Sequence, residues 1–260
     1  MSVSIHQLHP VFAGEVSGVD MHQPLSAEDV AVIEAGMNEY AVLVFHDQNI
    51  TDDQQLAFSR NFGALELPGN VSNITKEKDR RLGPEMADVS NLDANHGILD
   101  RNDRQRMFNL GNQLWHSDSS FRATPARYSL LSARAIPAKG GNTEFADMRA
   151  AYDALDADTK AQVEDLVCEH SLLYSRGLLG FTELDDTEKA NFKPVRQRLV
   201  RTHPATGRKS LYLSAHIGSI LGWPVPEARG FIRDLTEAAT EREFVYAHKW
   251  QVGDFVMWDN

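Results

Sequence analysis

The hydrophobic pattern near the N-terminus predicts two helices around one buried strand. Ser26, followed by Asp29, is a capping-box-like start for a helix whose apolar positions continue at mixed helical spacing. Residues 41–45 are apolar and rich in β-branched side chains, which favours a buried strand. Thr51 is placed to cap a second helix that ends at Gly63. We therefore expect an α/β layer at this end of the chain.

From residue 114 onward, short apolar runs alternate with turn residues. This spacing predicts strands at residues 128–135, 143–146, 169–174, 199–203, 210–215, 244–250 and 255–258. Helices are expected at 158–167 and at 227–239, where Pro226 stands near the start. Many short strands separated by turns favour a sandwich or jelly roll with helices packed outside it. The predicted fold class is therefore mainly β with flanking helices, in a single domain of residues 1–260.

Residues 66–106 have a different character. They are rich in Asn, Asp, Lys, Arg and Gly and contain one strand-like piece, at 89–92. Long irregular segments in compact domains are usually functional lids or mobile loops. The pattern alone leaves two interpretations open, a lid over a site and a disordered surface loop.

Charge and cysteine content narrow the possible functions. The chain has 26 Lys and Arg against 37 Asp and Glu, a net charge of −11. Such a surface argues against a general nucleic-acid or anionic-membrane binder. The single cysteine, Cys168, excludes a disulfide within the chain and Cys-rich metal sites. We see no signal peptide and no apolar run of about 20 residues, so we expect a cytoplasmic protein.

The most informative polar residues are His116 and Asp118, between the apolar Trp115 and Phe121. On a strand, residues i and i+2 point to the same face, so this imidazole and carboxylate could bind one metal ion. Two histidines and one carboxylate on one face form the site of iron(II) oxygenases. The spacing alone leaves a surface pair or a simple polar contact open.

A second candidate follows the paired glycines Gly140 and Gly141. Glycines allow a close approach of backbone, and Thr143 comes next, where a strand is expected to begin. Its hydroxyl could bind a ligand carboxylate. The alternative is a plain β-turn followed by a β-branched strand residue.

Taken together and in order, these segments resemble the taurine dioxygenase family of iron(II)- and 2-oxoglutarate-dependent oxygenases. Within it they are most similar to the branch that acts on 2,4-dichlorophenoxyacetate. The matching segments are 112–121 (NQLWHSDSSF), 126–129 (ARYS), 140–145 (GGNTEF), 147–155 (DMRAAYDAL), 200–203 (VRTH), 207–209 (GRK), 243–246 (EFVY) and 253–260 (GDFVMWDN). The resemblance covers almost the whole chain and is weakest in residues 66–106.

The resemblance implies a double-stranded β-helix, a form of jelly roll, and a specific site. The residues it assigns are His116 and Asp118 as iron ligands, Thr143 at the distal carboxylate of 2-oxoglutarate, Asn112 near the co-substrate or substrate, Trp258 in the co-substrate pocket, and His203 and His216 at the substrate. His248 is interpreted as structural.

One departure concerns the end of the chain. In the family, Trp-Asp-Asn is followed by the distal iron-binding histidine and then by arginines that bind 2-oxoglutarate and the substrate anion. This sequence stops at Asn260. We therefore expect that it lacks its C-terminal part, with the third ligand and both arginines, and that the chain as it stands is inactive.

The resemblance also implies the reaction and the partners. Fe(II), 2-oxoglutarate and O₂ would hydroxylate a small anionic aryloxyalkanoate beside its ether oxygen, giving a phenol, glyoxylate, succinate and CO₂. Taurine, an alkyl sulfate or another small acid is an alternative substrate, and a non-catalytic jelly-roll binding module is an alternative function. Cations for the anion include Arg201, Arg208, Lys209 and the basic residues of 76–81. Relatives commonly form homo-oligomers, which we also expect here.

Overall fold

Short strands and helices alternate along the chain. The structure is a computed structural model that describes residues 2–67 and 74–260. Its strands are β1 Ser4–Gln7, β2 Gly14–Ser17, β3 Val42–Phe45, β4 Tyr128–Ser132, β5 Thr143–Ala146, β6 Val167–His170, β7 Val195–Arg198, β8 Val200–Thr202, β9 Lys209–Leu211, β10 Ile217–Ile220, β11 Val245–His248 and β12 Phe255–Asp259. Its α-helices are α1 Ala27–Tyr40, α2 Asp52–Arg60, α3 Arg104–Asn109, α4 Met148–Ala154, α5 Ala157–Val163, α6 Leu172–Leu178, α7 Asp186–Asn191 and α8 Val225–Ala239.

The largest sheet has five strands in the order β1-β2-β3-β12-β4. β12 is an inner strand that pairs antiparallel with both β3 and β4, placing Trp258 opposite Val42 and Ser129. All four residues of β3 are buried, as a central strand requires. Phe255 packs against Phe45 at a ring-centroid distance of 5.9 Å, and this contact helps hold α1 and α2 against the sheet.

Three smaller sheets complete the described β-structure, in the orders β10-β6-β7, β11-β5 and β8-β9. β6, β8, β9 and β10 contribute to a second core that is covered by α8. The buried side of α8 carries Ala228, Ile232, Leu235 and Ala239, which recur at the spacing of one helix face. The fold is sheet-rich with helices on the outside, as the sequence predicts.

Most elements of the sequence-based prediction are confirmed. The Ser26 hydroxyl accepts a hydrogen bond of 3.1 Å from the Asp29 amide at the start of α1. Thr51 and Gln54 form a complete capping box at the start of α2. The strand predicted at 143–146 is β5, with the same bounds.

Two predicted strands are wrong. Residues 169–174 do not form one strand, because β6 ends at His170 and α6 begins two residues later. Ser171 causes this change: its hydroxyl caps the helix by accepting a hydrogen bond of 3.1 Å from the Leu173 amide. The strand-like piece at 89–92 contributes only an isolated bridge between Leu92 and Ile98.

The proposed lid of residues 66–106 stays a prediction, and residues 68–73 of it lie outside the described part of the chain. The rest contains a 3₁₀ turn at Glu77–Asp79 and the beginning of α3. Across residues 2–67 and 74–260, no helix is long and apolar enough to cross a membrane.

Candidate active site

His116 and Asp118 lie close together, but the predicted reason is wrong because neither residue is on a strand. They follow the 3₁₀ helix Leu110–Gln113, in an extended segment that turns at Asp118. Ser119 has a left-handed backbone with φ of 57°. This turn brings Asp118 back toward the histidine, and His116 Nε2 is 3.1 Å from Asp118 Oδ1.

Each side chain of the pair also forms a hydrogen bond through the atom that faces away from its partner. His116 Nδ1 donates to the Leu114 carbonyl at 2.7 Å, which leaves Nε2 to face the carboxylate. The Ser129 hydroxyl of β4 donates to Asp118 Oδ2 at 2.8 Å. Asn260 Nδ2 donates in turn to Ser129 Oγ at 3.0 Å. Outer partners of this kind fix the tautomer and orientation of metal ligands.

Burial and mutual contact shift the pKa values of the pair in opposite directions. Burial lowers the pKa of His116, but the hydrogen bond and charge of Asp118 outweigh it, so that pKa is raised. Burial raises the pKa of Asp118, but the opposing effects of His116 and of the Ser129 hydroxyl are larger, so the pKa of Asp118 lies below its ordinary value. These opposite shifts favour an imidazolium facing a carboxylate, and a metal bound there would displace the proton.

A cavity of about 710 Å³ opens in front of this pair. Its lining includes the pair itself and four of the other residues that the sequence analysis assigned to the site. These are Asn112, His116, Asp118, Thr143, His203 and Trp258. The fold thus brings together residues from the 3₁₀ helix, from β5, from the β8–β9 turn and from β12.

Thr143 is at the first position of β5, and the indole Nε1–H of Trp250 donates to its Oγ1 at 2.9 Å. An indole is a donor only, so the threonine hydroxyl keeps its own proton for another acceptor. Trp258 contributes an aromatic wall and packs against Phe145 at a ring-centroid distance of 5.4 Å. The site therefore has a hydroxyl donor beside an apolar surface.

The other two histidines with predicted roles have different places. His203 lines the cavity, and its Nε2 is 3.5 Å from Asp259 Oδ2. His216 lies behind His116 at a ring-centroid distance of 5.7 Å and contacts Phe121. Burial, together with nearby positive charge, holds the pKa of His216 well below its ordinary value. Their predicted contacts with substrate stay predictions.

His248, interpreted as structural, lies in a buried network outside the cavity. Its Nε2 is 2.9 Å from Asp254 Oδ2, and His46 Nδ1 is 2.6 Å from the other oxygen of that carboxylate. Two of the cations proposed for the substrate are paired on the surface, Arg208 with Asp153 and Lys209 with Glu164.

Sequence reasoning gave no role to Ser129, although it lies in the ARYS segment, or to Arg176. The hydroxyl of Ser129 reaches Asp118 from β4, 11 positions away, and Arg176 reaches Asn112 from α6. Within residues 2–67 and 74–260, no group of three His, Cys, Asp or Glu side chains is arranged to hold a metal ion.

A sheet-rich fold with a His–Asp pair at the wall of a cavity is typical of a metal-dependent oxygenase. Residues 4–260 match the taurine catabolism dioxygenase TauD, TfdA family, and the chain belongs to this family. The resemblance noted in the sequence is therefore confirmed.

Similar proteins are found among characterised enzymes and solved structures. The chain is 47% identical to the alpha-ketoglutarate-dependent 2,4-dichlorophenoxyacetate dioxygenase of Cupriavidus pinatubonensis, over 100% of this chain and 90% of that protein. It is 39% identical to the (S)-phenoxypropionate/alpha-ketoglutarate-dioxygenase of Sphingobium herbicidovorans, over 98% of this chain and 86% of the relative. The crystal structure of AAD-2 with Mn(II) and N-oxalylglycine superposes with a TM-score of 0.97 at 60% identity, covering 100% of this chain and 89% of that one.

Proposed function

We propose that the protein is an Fe(II)- and 2-oxoglutarate-dependent dioxygenase that hydroxylates a small aryloxyalkanoate such as 2,4-dichlorophenoxyacetate. The products are a phenol, glyoxylate, succinate and CO₂. The observation that carries the proposal is the His116–Asp118 pair, 3.1 Å apart at the wall of a cavity. The relatives named above support the substrate class. We further propose that the sheets form the double-stranded β-helix of this family, and that the enzyme is a cytoplasmic homo-oligomer.

The donor atoms fit a divalent metal. Metal–ligand bonds of about 2.0–2.2 Å at right angles place two donors about 3 Å apart, close to the observed separation of Nε2 and Oδ1. His116 and Asp118 would hold Fe(II), which together with 2-oxoglutarate and O₂ supplies the oxidation of a substrate C–H bond.

Thr143 is assigned to the co-substrate. Its hydroxyl proton is left free by the Trp250 hydrogen bond, so it can donate to the distal carboxylate of 2-oxoglutarate. Trp258 would cover the same molecule with its ring. Asn112 offers an amide on the same cavity wall.

The substrate site is assigned to the remainder of the cavity. A volume of about 710 Å³ lies within the range of small-molecule sites, about 300–1,000 Å³, and aromatic walls suit an aryl ring. An acid group needs a donor or a cation in a protein of net charge −11. Arg201 lines the cavity and has its guanidinium 3.3 Å from the centre of the Tyr212 ring. The predicted donors are His203, which also lines the cavity, and His216, which lies behind His116.

The test of the metal site is the His116→Ala variant of the full enzyme. We expect it to fold, to bind Fe(II) or Mn(II) much more weakly, and to lose 2-oxoglutarate-dependent release of phenol. His22→Ala is the matched control, because His22 is exposed and its imidazole contacts Asp20 and the Asn49 carbonyl, away from the cavity. Normal succinate production by His116→Ala would refute the assignment.

The substrate class is tested separately. Phenol release from 2,4-dichlorophenoxyacetate should proceed with a higher kcat/KM than sulfite release from taurine. Related phenoxy acids should also react at reduced efficiency, because one methylene changes binding in an apolar pocket by about 1–3 kcal/mol. A higher kcat/KM for taurine or an alkyl sulfate would replace the substrate and keep the chemistry, whereas no turnover of any acid would favour a binding module.

A further inference from the structure

Arg176, on α6, is a buried cation for which no carboxylate compensates. Its side chain is 4% exposed, and among residues 2–67 and 74–260 no acidic group forms an ion pair with it. Burial alone lowers its pKa to about 10, so the guanidinium stays charged at neutral pH. A buried charge without a counter-charge is destabilising, which calls for a reason beyond folding.

Phe108, Gly111 and Ser175 surround this guanidinium closely. Its carbon lies 4.5 Å from the centre of the Phe108 ring, and Nη1 donates to Ser175 Oγ at 3.0 Å. A side chain at Gly111 would put Cβ 2.5 Å from the guanidinium carbon, so only glycine permits this approach. One donor, Nε–H, is buried and finds no hydrogen-bond partner among the described residues. These neutral neighbours fix the position of the guanidinium and leave its positive charge uncompensated.

The other hydrogen bond of the Arg176 guanidinium is made to a residue of the cavity wall. Nη2 donates to Asn112 Oδ1 at 3.2 Å, and Asn112 lines the cavity that contains His116. A guanidinium can only donate, so the amide must present its oxygen to Arg176. The Nδ2 group of Asn112 is therefore the part left for a ligand, and it is a donor of two N–H bonds.

We propose that Arg176 is a positioning residue for the acid group of the substrate: it holds the Asn112 amide with its N–H bonds toward the cavity and adds a buried positive charge behind it. This inference rests on the proposed function. It explains how a chain of net charge −11 attracts an anion to this wall. It also explains why the cation is kept unpaired, since a carboxylate partner would cancel the attraction.

The experiment compares an acid with its neutral amide. Binding of phenoxyacetate and of phenoxyacetamide to the full enzyme is measured by titration calorimetry, with Mn(II) present. Arg176→Met, which keeps the length and removes the charge, should weaken phenoxyacetate binding about tenfold or more, ~1.4 kcal/mol. Binding of phenoxyacetamide and of 2-oxoglutarate should change less than threefold. Arg176→Lys should recover part of the acid affinity, because the charge returns without the planar fork.

The control variant is Arg233→Met, which removes the same charge from the exposed face of α8 and should leave both affinities unchanged. In addition, Asn112→Ala combined with Arg176→Met should weaken acid binding less than the two single effects multiplied together, because the arginine acts through the amide. Arg176→Met should unfold at the same or a higher urea concentration than the parent, since it removes an uncompensated charge.

The outcomes separate this inference from the proposed function. If the parent binds phenoxyacetate but Arg176→Met weakens the acid and the amide equally, or weakens neither, the positioning role is wrong. A large loss of stability with equal loss of both ligands would identify a structural arginine and would also refute the inference. If the parent binds no phenoxyacetate and converts no 2-oxoglutarate to succinate, the proposed function fails and the inference falls with it.

Discussion

The Ser129 hydroxyl is expected to control the metal affinity of the site. It donates to Asp118 Oδ2 at 2.8 Å, on the side away from His116. A hydrogen bond to a charged group contributes about 1.5–3 kcal/mol, and loss of an outer partner of a metal ligand lowers affinity by roughly 10–100-fold. Ser129→Ala should therefore weaken Mn(II) or Fe(II) binding by about that factor while the backbone pairing of Ser129 with Trp258 keeps β4 in place.

The same change has a predictable pH dependence. The serine hydroxyl lowers the pKa of Asp118, so its removal raises that pKa. Protons should then compete with the metal at higher pH, and the pH of half-maximal metal binding should move upward. Metal titrations from pH 5 to pH 8 measure both effects.

Ser132→Ala is the matched control, because Ser132 lies on the same strand and donates instead to Gln55 Oε1 at 2.7 Å. Its metal affinity should equal that of the parent. If Ser129→Ala and Ser132→Ala bind metal equally well, then the hydroxyl does not support the carboxylate, and the assignment of Asp118 as a ligand held from behind is wrong.

Three further predictions concern the surroundings of the site. Trp250→Phe removes the indole that orients Thr143. It should raise the KM for 2-oxoglutarate by about 2–10-fold, which corresponds to the loss of one neutral hydrogen bond. The KM for the phenoxy acid should stay the same in steady-state assays. Burial lowers the pKa of His170 to about 3, so below about pH 6.5 the unfolded chain takes up a proton that the folded chain refuses. His170→Gln should therefore reduce the stability lost between pH 7 and pH 5 in urea unfolding by about 2 kcal/mol, and an unchanged loss would contradict the burial argument. Gly218→Ala should lower the free energy of unfolding by about 1–3 kcal/mol, because its Cβ would lie 2.3 Å from the Tyr174 ring, and an equally stable variant would show that the ring can move.

Sequence patterns predicted the helices whose starts are determined by neighbouring residues. The caps at Ser26 and Thr51 act within three residues, so the sequence pattern was sufficient to place α1 and α2. The failure at residues 169–174 has a local cause as well, because Ser171 is a good helix cap that the apolar run concealed. An apolar run does not separate a buried strand from a buried helix start by periodicity alone.

The sequence predicted the His116–Asp118 pair but not the residues that support it. His116 and Asp118 are close in sequence, and a turn at Ser119 achieved what a strand was expected to do. The contacts that support them join distant residues: Ser129 and Asp118 meet through a turn and a strand, and Arg176 and Asn112 are 64 positions apart. Such pairs depend on tertiary packing, which neither spacing nor composition encodes.

The position of β12 between β3 and β4 has a consequence for synthesis on the ribosome. β3 is made about two hundred residues before the strand that lies beside it in the sheet, at Phe255–Asp259. Until that late segment emerges, the nascent chain carries the apolar edge of β3 without its neighbour, and exposed edges of this kind promote aggregation. Closing so long a loop is also slow, since distant pairings form late in folding. Chains halted before residue 255 should therefore depend on chaperones far more than finished ones.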